Sequence, residues 1–270
     1  MDQRAHSWLQ VNIRFADTHS AEKAAVAHLR PWLEQAEADG AIRSWFFIRK
    51  GEWRLRYLPP DSAPEHASEL VAHALNSAQS TGDVTQWTRS IYEPEVDAFG
   101  GPLSMEIAHR LFHQDSRHIL DYLARGAPDN RRELTVMLCT AFLRGIGLDW
   151  FEQGDVWARA ARLRHPDTEP DGHQLQSLAA GVKRLMSADV ATGGRATGEL
   201  AFAAQWLESF GAAGTSLGNA WSDGALTRGV RAVAAHHAIF HWNRLGLAYE
   251  TQAHLAQAAR EAVFGESDNP

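Results

Sequence analysis

Arg54 and Arg56 stand two residues apart in Trp53-Arg54-Leu55-Arg56-Tyr57. On an extended strand, positions i and i+2 project from one face, so the two guanidiniums lie side by side. Neighbouring cations repel, and an anion in front of them relieves the repulsion because the planar forks bind carboxylate or phosphate bidentately. Arg49 lies just across the Lys50-Gly51-Glu52 turn and would add a third positive charge. From spacing alone, a solvated strand face paired with surface acids accounts for the same residues.

Two further segments could carry chemistry. Tyr92-Glu93-Pro94-Glu95-Val96-Asp97-Ala98-Phe99-Gly100-Gly101 places three acids in a Pro-containing stretch that ends in a glycine pair. Such a pair permits positive φ or the close approach of another backbone. A structural turn with solvated acids is the alternative. In Ala235-His236-His237-Ala238-Ile239-Phe240-His241-Trp242-Asn243-Arg244-Leu245, a helix puts His237 and His241 one turn apart on a shared face, with Asn243 and Arg244 nearby. Imidazole is the natural proton carrier near neutral pH. A buried histidine satisfied by hydrogen bonds and a metal-ligand pair are the competing readings. His109 and His113 share that spacing, yet neither pair carries the Glu of a zinc-protease helix or a well-placed third ligand, so no metal site is expected. No Gly-x-Ser-x-Gly elbow, phosphate-binding Gly-Lys loop or dinucleotide fingerprint occurs, and no cofactor is expected.

The elements that must position these groups fall into two parts. Leu9, Val11, Ile13 and Phe15 alternate with polar residues, the period of a half-buried strand. Ser20 is placed to cap the Ala-rich helix that follows, which Pro31 should kink or split. Ile42–Arg49 and Trp53–Leu58 flank a Gly-containing turn and predict a hairpin. Another helix over Ser62–Gln79 and a strand over Val84–Ile91 complete a strand-helix-strand-strand-helix-strand order, the split βαβ pattern of a ferredoxin-like sheet. After Gly101 the periodicity is helical, predicting helices near 103–125, 131–149, 173–188, 195–212, 226–245 and 249–264. Arg164–Gly172 reads as a linker, and the glycine-rich stretch Gly211–Gly224 as a loop. The expected class is therefore α+β. A ferredoxin-like α/β part over 1–100 is followed by a mostly helical bundle over 101–270, the two packed as one functional unit.

Composition narrows the function. The 270 residues carry 26 Lys+Arg against 33 Asp+Glu, a net charge of −7, which argues against direct nucleic-acid binding. The single cysteine, Cys139, excludes an internal disulfide framework and Cys-rich metal sites. No targeting segment and no run of apolar residues long enough to span a membrane is visible, so a cytoplasmic setting is expected.

Taken in order, these segments resemble a known family. Trp45-Phe46-Phe47-Ile48-Arg49 with Trp53-Arg54-Leu55-Arg56-Tyr57 is similar to a motif near the start of the lantibiotic dehydratase C-terminal domain. Tyr92-Glu93-Pro94-Glu95 running into Phe99-Gly100-Gly101, then His109–Phe112 and Asp115-Ser116, resembles its second signature. His241-Trp242-Asn243-Arg244-Leu245-Gly246 resembles its late His-x-x-Asn-Arg motif. The likeness covers essentially the whole chain, as in a stand-alone thiopeptide-type bacteriocin biosynthesis protein.

This resemblance implies work on a ribosomally made, leader-bearing precursor peptide. In the elimination branch a separate tRNA-dependent dehydratase glutamylates Ser or Thr, and this domain removes glutamate to leave dehydroalanine or dehydrobutyrine. Another branch joins two dehydroalanines in a formal [4+2] cycloaddition, forming the thiopeptide pyridine and releasing the leader. A non-catalytic subunit that binds the precursor by strand addition to the sheet edge is a third reading. Under elimination, Arg54 and Arg56 would hold glutamyl carboxylate, His241 would carry a proton, and Glu95 would orient an arginine or assist as base. Arg49, Asn243, Arg244 and Tyr92 would contact substrate. One departure stands out: eliminating members usually have Arg immediately before aromatic-Gly-Gly, and this chain has Ala98. The change weakens the glutamate reading and strengthens the cycloaddition one.

Overall fold

The period-two runs become strands. In the computed structural model, which describes residues 8–17, 20–126, 129–166, 168, 171–188 and 198–265, four strands form one antiparallel sheet: β1 (Leu9–Phe15), β2 (Ser44–Lys50), β3 (Glu52–Leu58) and β4 (Val84–Ser90). Their order is β2-β3-β1-β4. The β1–β2 crossover contains α1 (Ala21–Ala24), a π-helical turn (Ala25–Leu29) and α2 (Arg30–Ala38), while α3 (Pro64–Ser80) links β3 to β4. These are the ferredoxin-like elements that the sequence predicts. Pro31 acts as expected on its helix. It has no N–H to donate and its ring crowds the preceding turn, and the wider π turn just before it absorbs the mismatch. Ser20 makes no side-chain cap; instead its own amide donates to Asp17 Oδ2 at 3.1 Å.

Register decides what each sheet face carries. Leu9, Val11 and Ile13 pair with Tyr57, Leu55 and Trp53, and Trp45 and Phe47 extend this apolar face across β2. Gln10 and Asn12 pair with Arg56 and Arg54 on the opposite face. Sheet edges expose unpaired N–H and C=O groups, and β2 is an edge that α4 (Pro102–Ala124) covers with side chains. The Phe47 amide donates to Ser116 Oγ at 3.2 Å, and His113 Nδ1 lies 2.8 Å from the Trp45 carbonyl oxygen. Glu37 accepts from Trp45 Nε1 and Arg117, with His113 Nε2 3.2 Å away.

Contacts divide the chain into two compact units, 1–94 with 112–128, and 95–111 with 129–270, so α4 contributes to both. The second unit is helical: α5 (Arg131–Ile146), α6 (Trp150–Leu163), α7 (Gly172–Ser187), α8 (Ala204–Ser222), α9 (Val230–Leu245) and α10 (Tyr249–Phe264). The helix expected over 131–149 stops at Ile146, where Gly147 takes the left-handed conformation at φ +90°. Asp149 then opens α6, a helix the sequence reading missed, through a reciprocal capping box with Glu152. The helix expected over 195–212 is corrected to α8, which starts only at Ala204 and continues to Ser222. Residues 189–197, and Asp167, Glu169 and Pro170 of the linker, lie outside the described residues.

Gly211–Gly224 is not a loop. Residues through Ser222 are helical, and the glycines serve packing. A Cβ on Gly214 would sit 2.1 Å from the Phe142 carbonyl oxygen, and one on Gly218 2.6 Å from that of Ile146. The backbones of α5 and α8 therefore approach to a distance that side chains would forbid. Among the described residues, no helix is long and apolar enough to cross a membrane.

Candidate functional site

Alternation along β3 and its register with both neighbours bring Arg54 and Arg56 to one face, as expected. Their surroundings differ. Arg56 is buried, and its Nε donates to Gln10 Oε1 at 2.7 Å. Gln10 Nε2 in turn donates to Ser90 Oγ at 2.6 Å and to Asn12 Oδ1 at 3.0 Å. The guanidinium carbon lies 4.2 Å from the Tyr92 ring centroid and 5.3 Å from that of Phe46, with Trp8 edge-on to both rings. Cation–π contacts of this kind contribute about 0.5–2 kcal/mol. Arg56 and Tyr92 thus belong to one rigid assembly.

Arg54 is half-buried and makes no side-chain hydrogen bond, ion pair or ring contact with the described residues. The acid two residues before it on the same face, Glu52, is already held by Arg14. Arg54 therefore presents a positive charge without a counter-ion among the described residues, beside a guanidinium that is already held. Arg49 does not join it. Register pairs Arg49 with Trp53, on the opposite face, where it forms an ion pair with Glu22 and lies over the Trp53 ring. The expectation of a third charge fails because one residue of parity separates the two faces.

The remaining predicted residues belong to the second unit. Phe99 is fully buried, its ring 4.9 Å from those of His236 and His237 and 5.1 Å from that of Phe240. Gly100 and Gly101 both have positive φ, and a Cβ on Gly100 would meet Val233 Cγ2 at 3.0 Å. The positive φ anticipated from sequence is realised, while the nearest atoms that a Cβ on either glycine would meet are side chains and not another backbone. Arg228 Nη1 donates to the Ala98 carbonyl at 2.6 Å, and the Thr227 amide to that of Gly100 at 2.9 Å. These contacts hold the loop against the start of α9, and Glu95 reaches His236 Nε2 at 2.9 Å.

Helix α9 sorts its histidines by face. His236 is partly exposed beside Glu95, whereas His237 and His241 point inward and are buried. Burial first, then the positive charges of Arg244 and His236, pushes the His237 pKa down to about 3. Its imidazole is neutral at physiological pH. His241 is fully buried against Phe210 and Trp206, with ring centroids at 5.0 and 6.2 Å, and Arg244 is fully buried too. Asn243 Oδ1 accepts from Gln252 Nε2, which also donates to the Leu247 carbonyl. Asn243 therefore ties α9 to the start of α10. Only Trp242 stands between His241 and Asn243, one residue fewer than in His-x-x-Asn-Arg. The accessible imidazole is His236, which the sequence reading passed over. Its signal was its position one residue off the His237–His241 face. His113 of the His109–His113 pair is used on the β2 edge, and among the described residues no cluster of three or more His, Cys, Asp or Glu could hold a metal ion.

Fold and side chains define an α+β protein whose ferredoxin-like sheet carries, on its polar face, an arginine with no counter-ion among the described residues. The chain belongs to the lantibiotic biosynthesis dehydratase C-terminal family, whose model matches residues 8–263. Three solved structures share the fold. The tRNA-dependent lantibiotic dehydratase MibB from Microbispora sp. 107891 superposes with a TM-score of 0.70 at 20% identity over 97% of this chain, which spans 28% of that protein. TbtD, a pyridine synthase from thiomuracin biosynthesis, gives 0.66 at 14% identity, covering 96% of this chain and 99% of its own. TsrL gives 0.62 at 16% identity, covering 95% and 94%. None of the curated proteins matches the sequence.

Proposed function

We propose that this protein modifies a leader-bearing, ribosomally made precursor peptide, eliminating glutamate from glutamylated Ser or Thr to give dehydroalanine or dehydrobutyrine. A separate tRNA-dependent dehydratase would supply the glutamyl ester. The observation that carries this reading is Arg54, a half-buried guanidinium without a counter-ion among the described residues. A carboxylate supplies the missing charge, and the glutamyl group presents one in the substrate and develops a second as it leaves. In the elimination a base removes the Cα proton, that electron pair forms the Cα=Cβ bond, and the Cβ–O bond breaks to release glutamate. Arg54 binds the carboxylate, while Arg56, fixed by Gln10 and Tyr92, acts as a positioning residue. Within the second unit, His236 and Glu95 form an imidazole–carboxylate pair of the kind that carries a proton. His241, Asn243 and Arg244 maintain the helix that carries His236.

One observation favours [4+2] cycloaddition instead. The loop has Ala98 before Phe99-Gly100-Gly101 and so brings no cation of its own, and that reaction's substrate carries no glutamyl carboxylate. Incubating the protein with glutamylated and, separately, with dehydrated precursor, and following mass, distinguishes the two. Release of glutamate, lost in Arg54→Ala, supports elimination. Leader loss with a pyridine chromophore supports cycloaddition. Conversion by a partner dehydratase that stays unchanged in this variant would make the chain a non-catalytic peptide-binding subunit.

A further inference from the structure

The polar face of the sheet holds a second donor beside Arg54. Register sets Arg56, Gln10 and Ser90 side by side across β3, β1 and β4, and Arg54, Asn12 and Thr88 in the next row. The first row is a chain of hydrogen bonds that fixes which way the Asn12 amide faces. A guanidinium only donates, so Gln10 must turn Oε1 to Arg56 Nε, at 2.7 Å. Its Nε2 is left to donate to Ser90 Oγ at 2.6 Å and to Asn12 Oδ1 at 3.0 Å. Ser90 Oγ also donates to Asn12 Oδ1, at 3.3 Å. Asn12 thus commits its oxygen to the first row. The other branch of its amide, Nδ2, makes no hydrogen bond with the described residues.

Asn12 is half-buried and is the cross-strand partner of Arg54 on this face. Directly opposed residues of this kind have Cβ atoms about 4.5–5.5 Å apart. A guanidinium and an amide nitrogen, both donors without partners among the described residues, therefore stand next to each other. The pair suits a group that only accepts. A carboxylate offers about four lone-pair sites, whereas a carboxamide brings N–H donors that would face donors here. A site built to hydrogen-bond one of two near-isosteres rejects the other, because polar groups are left unpaired. We propose that Asn12 determines specificity at the Arg54 site. Its Nδ2 binds the same carboxylate as Arg54, and Gln10 and Arg56 hold the amide in the orientation that excludes a carboxamide. That this carboxylate is the glutamyl group rests on the elimination reading, but the donor pair does not.

Butyrate and butyramide are the probes, titrated into the full chain at matched ionic strength. Heteronuclear NMR follows the Asn12 Nδ2 and Arg54 Nε signals, which Asn12→Leu and Arg54→Lys assign by their disappearance. Butyrate should shift both signals and butyramide neither. Asn12→Leu keeps the shape of the side chain and the neighbouring Arg54, and should weaken butyrate about tenfold, the worth of a hydrogen bond to a charged group. Gln10→Glu is the sharper variant. A carboxylate at position 10 only accepts, so Asn12 must turn Nδ2 towards it and Oδ1 outward. Butyramide should then bind better than butyrate, although Asn12 and Arg54 are both in place. A shift at Arg54 alone, equal shifts with the two probes or no shift with either would overturn the proposal. So would a folded Gln10→Glu protein that keeps the wild-type preference. Glutamate release from glutamylated precursor by a chain whose Asn12 signal ignores butyrate would refute this inference alone. A butyrate-selective pair in a chain that releases no glutamate would refute the elimination reading alone.

Discussion

Gly214→Ala gives the sharpest test of how the helical unit is held together. The new Cβ would lie 2.1 Å from the Phe142 carbonyl oxygen and 3.1 Å from Gly145 Cα. Both obstacles are backbone, so no rotamer change relieves them, and α8 must retreat from α5 by roughly 1 Å, forfeiting dispersion along the crossing. Overpacking costs about 1–3 kcal/mol where side chains can adjust, and with backbone on both sides the upper end applies. Replacing a helical glycine by alanine returns about 1 kcal/mol, which leaves a net loss of about 2 kcal/mol. At about 2–4 °C per kcal/mol for domains of this size, Tm falls by about 4–8 °C. Gly211→Ala, one turn earlier on α8, is the matched control, because its Cβ would meet nothing within 4 Å. It gains helix propensity without a clash and should raise Tm by about 2–4 °C. Thermal unfolding followed by circular dichroism reads both. Shifts of the same sign, or a Gly214→Ala protein as stable as wild type, would refute the close-crossing argument.

Two other outcomes follow from buried polar groups. His237 binds its proton only near pH 3 in the fold and near 6.5 when unfolded, so the unfolded chain holds the extra proton between these values. Stability is complete above about pH 6.5 and falls by up to about 1.4 kcal/mol per unit as pH drops towards 3. Urea unfolding from pH 7 to 4 should show a shallower dependence in His237→Leu, and parallel slopes would exclude this origin. Ser116→Ala removes the acceptor for the Phe47 amide on the β2 edge. The orphaned donor costs about 1–3 kcal/mol, and faster hydrogen exchange at Phe47 is the expected signature. Unchanged exchange would mean that the edge is protected by something else.

Much of this protein is visible in local pattern. Alternation in Leu9–Phe15 and Trp53–Leu58 specifies strands, and the same parity puts Arg54 and Arg56 on one face whatever the rest of the chain does. The Phe99-Gly100-Gly101 turn is equally legible, because few sequences need two positive-φ residues in succession. Periodicity assigns a residue to a face, but it does not say what covers that face. Arg49 pairs with Glu22 because the hairpin register carries it to the other side of the sheet. His236 finds Glu95 across 141 positions of sequence, while His241, five residues further along the same helix, is sealed beneath Trp206 and Phe210. The glycines of α8 look like loop residues until α5 lies against them. By itself, the sequence determined the strands, most of the helices and the arginine pair, since these follow from the chain's own repeat. Only tertiary structure decided which charges are neutralised and which imidazole meets solvent, because each depends on atoms that long-range packing brings together.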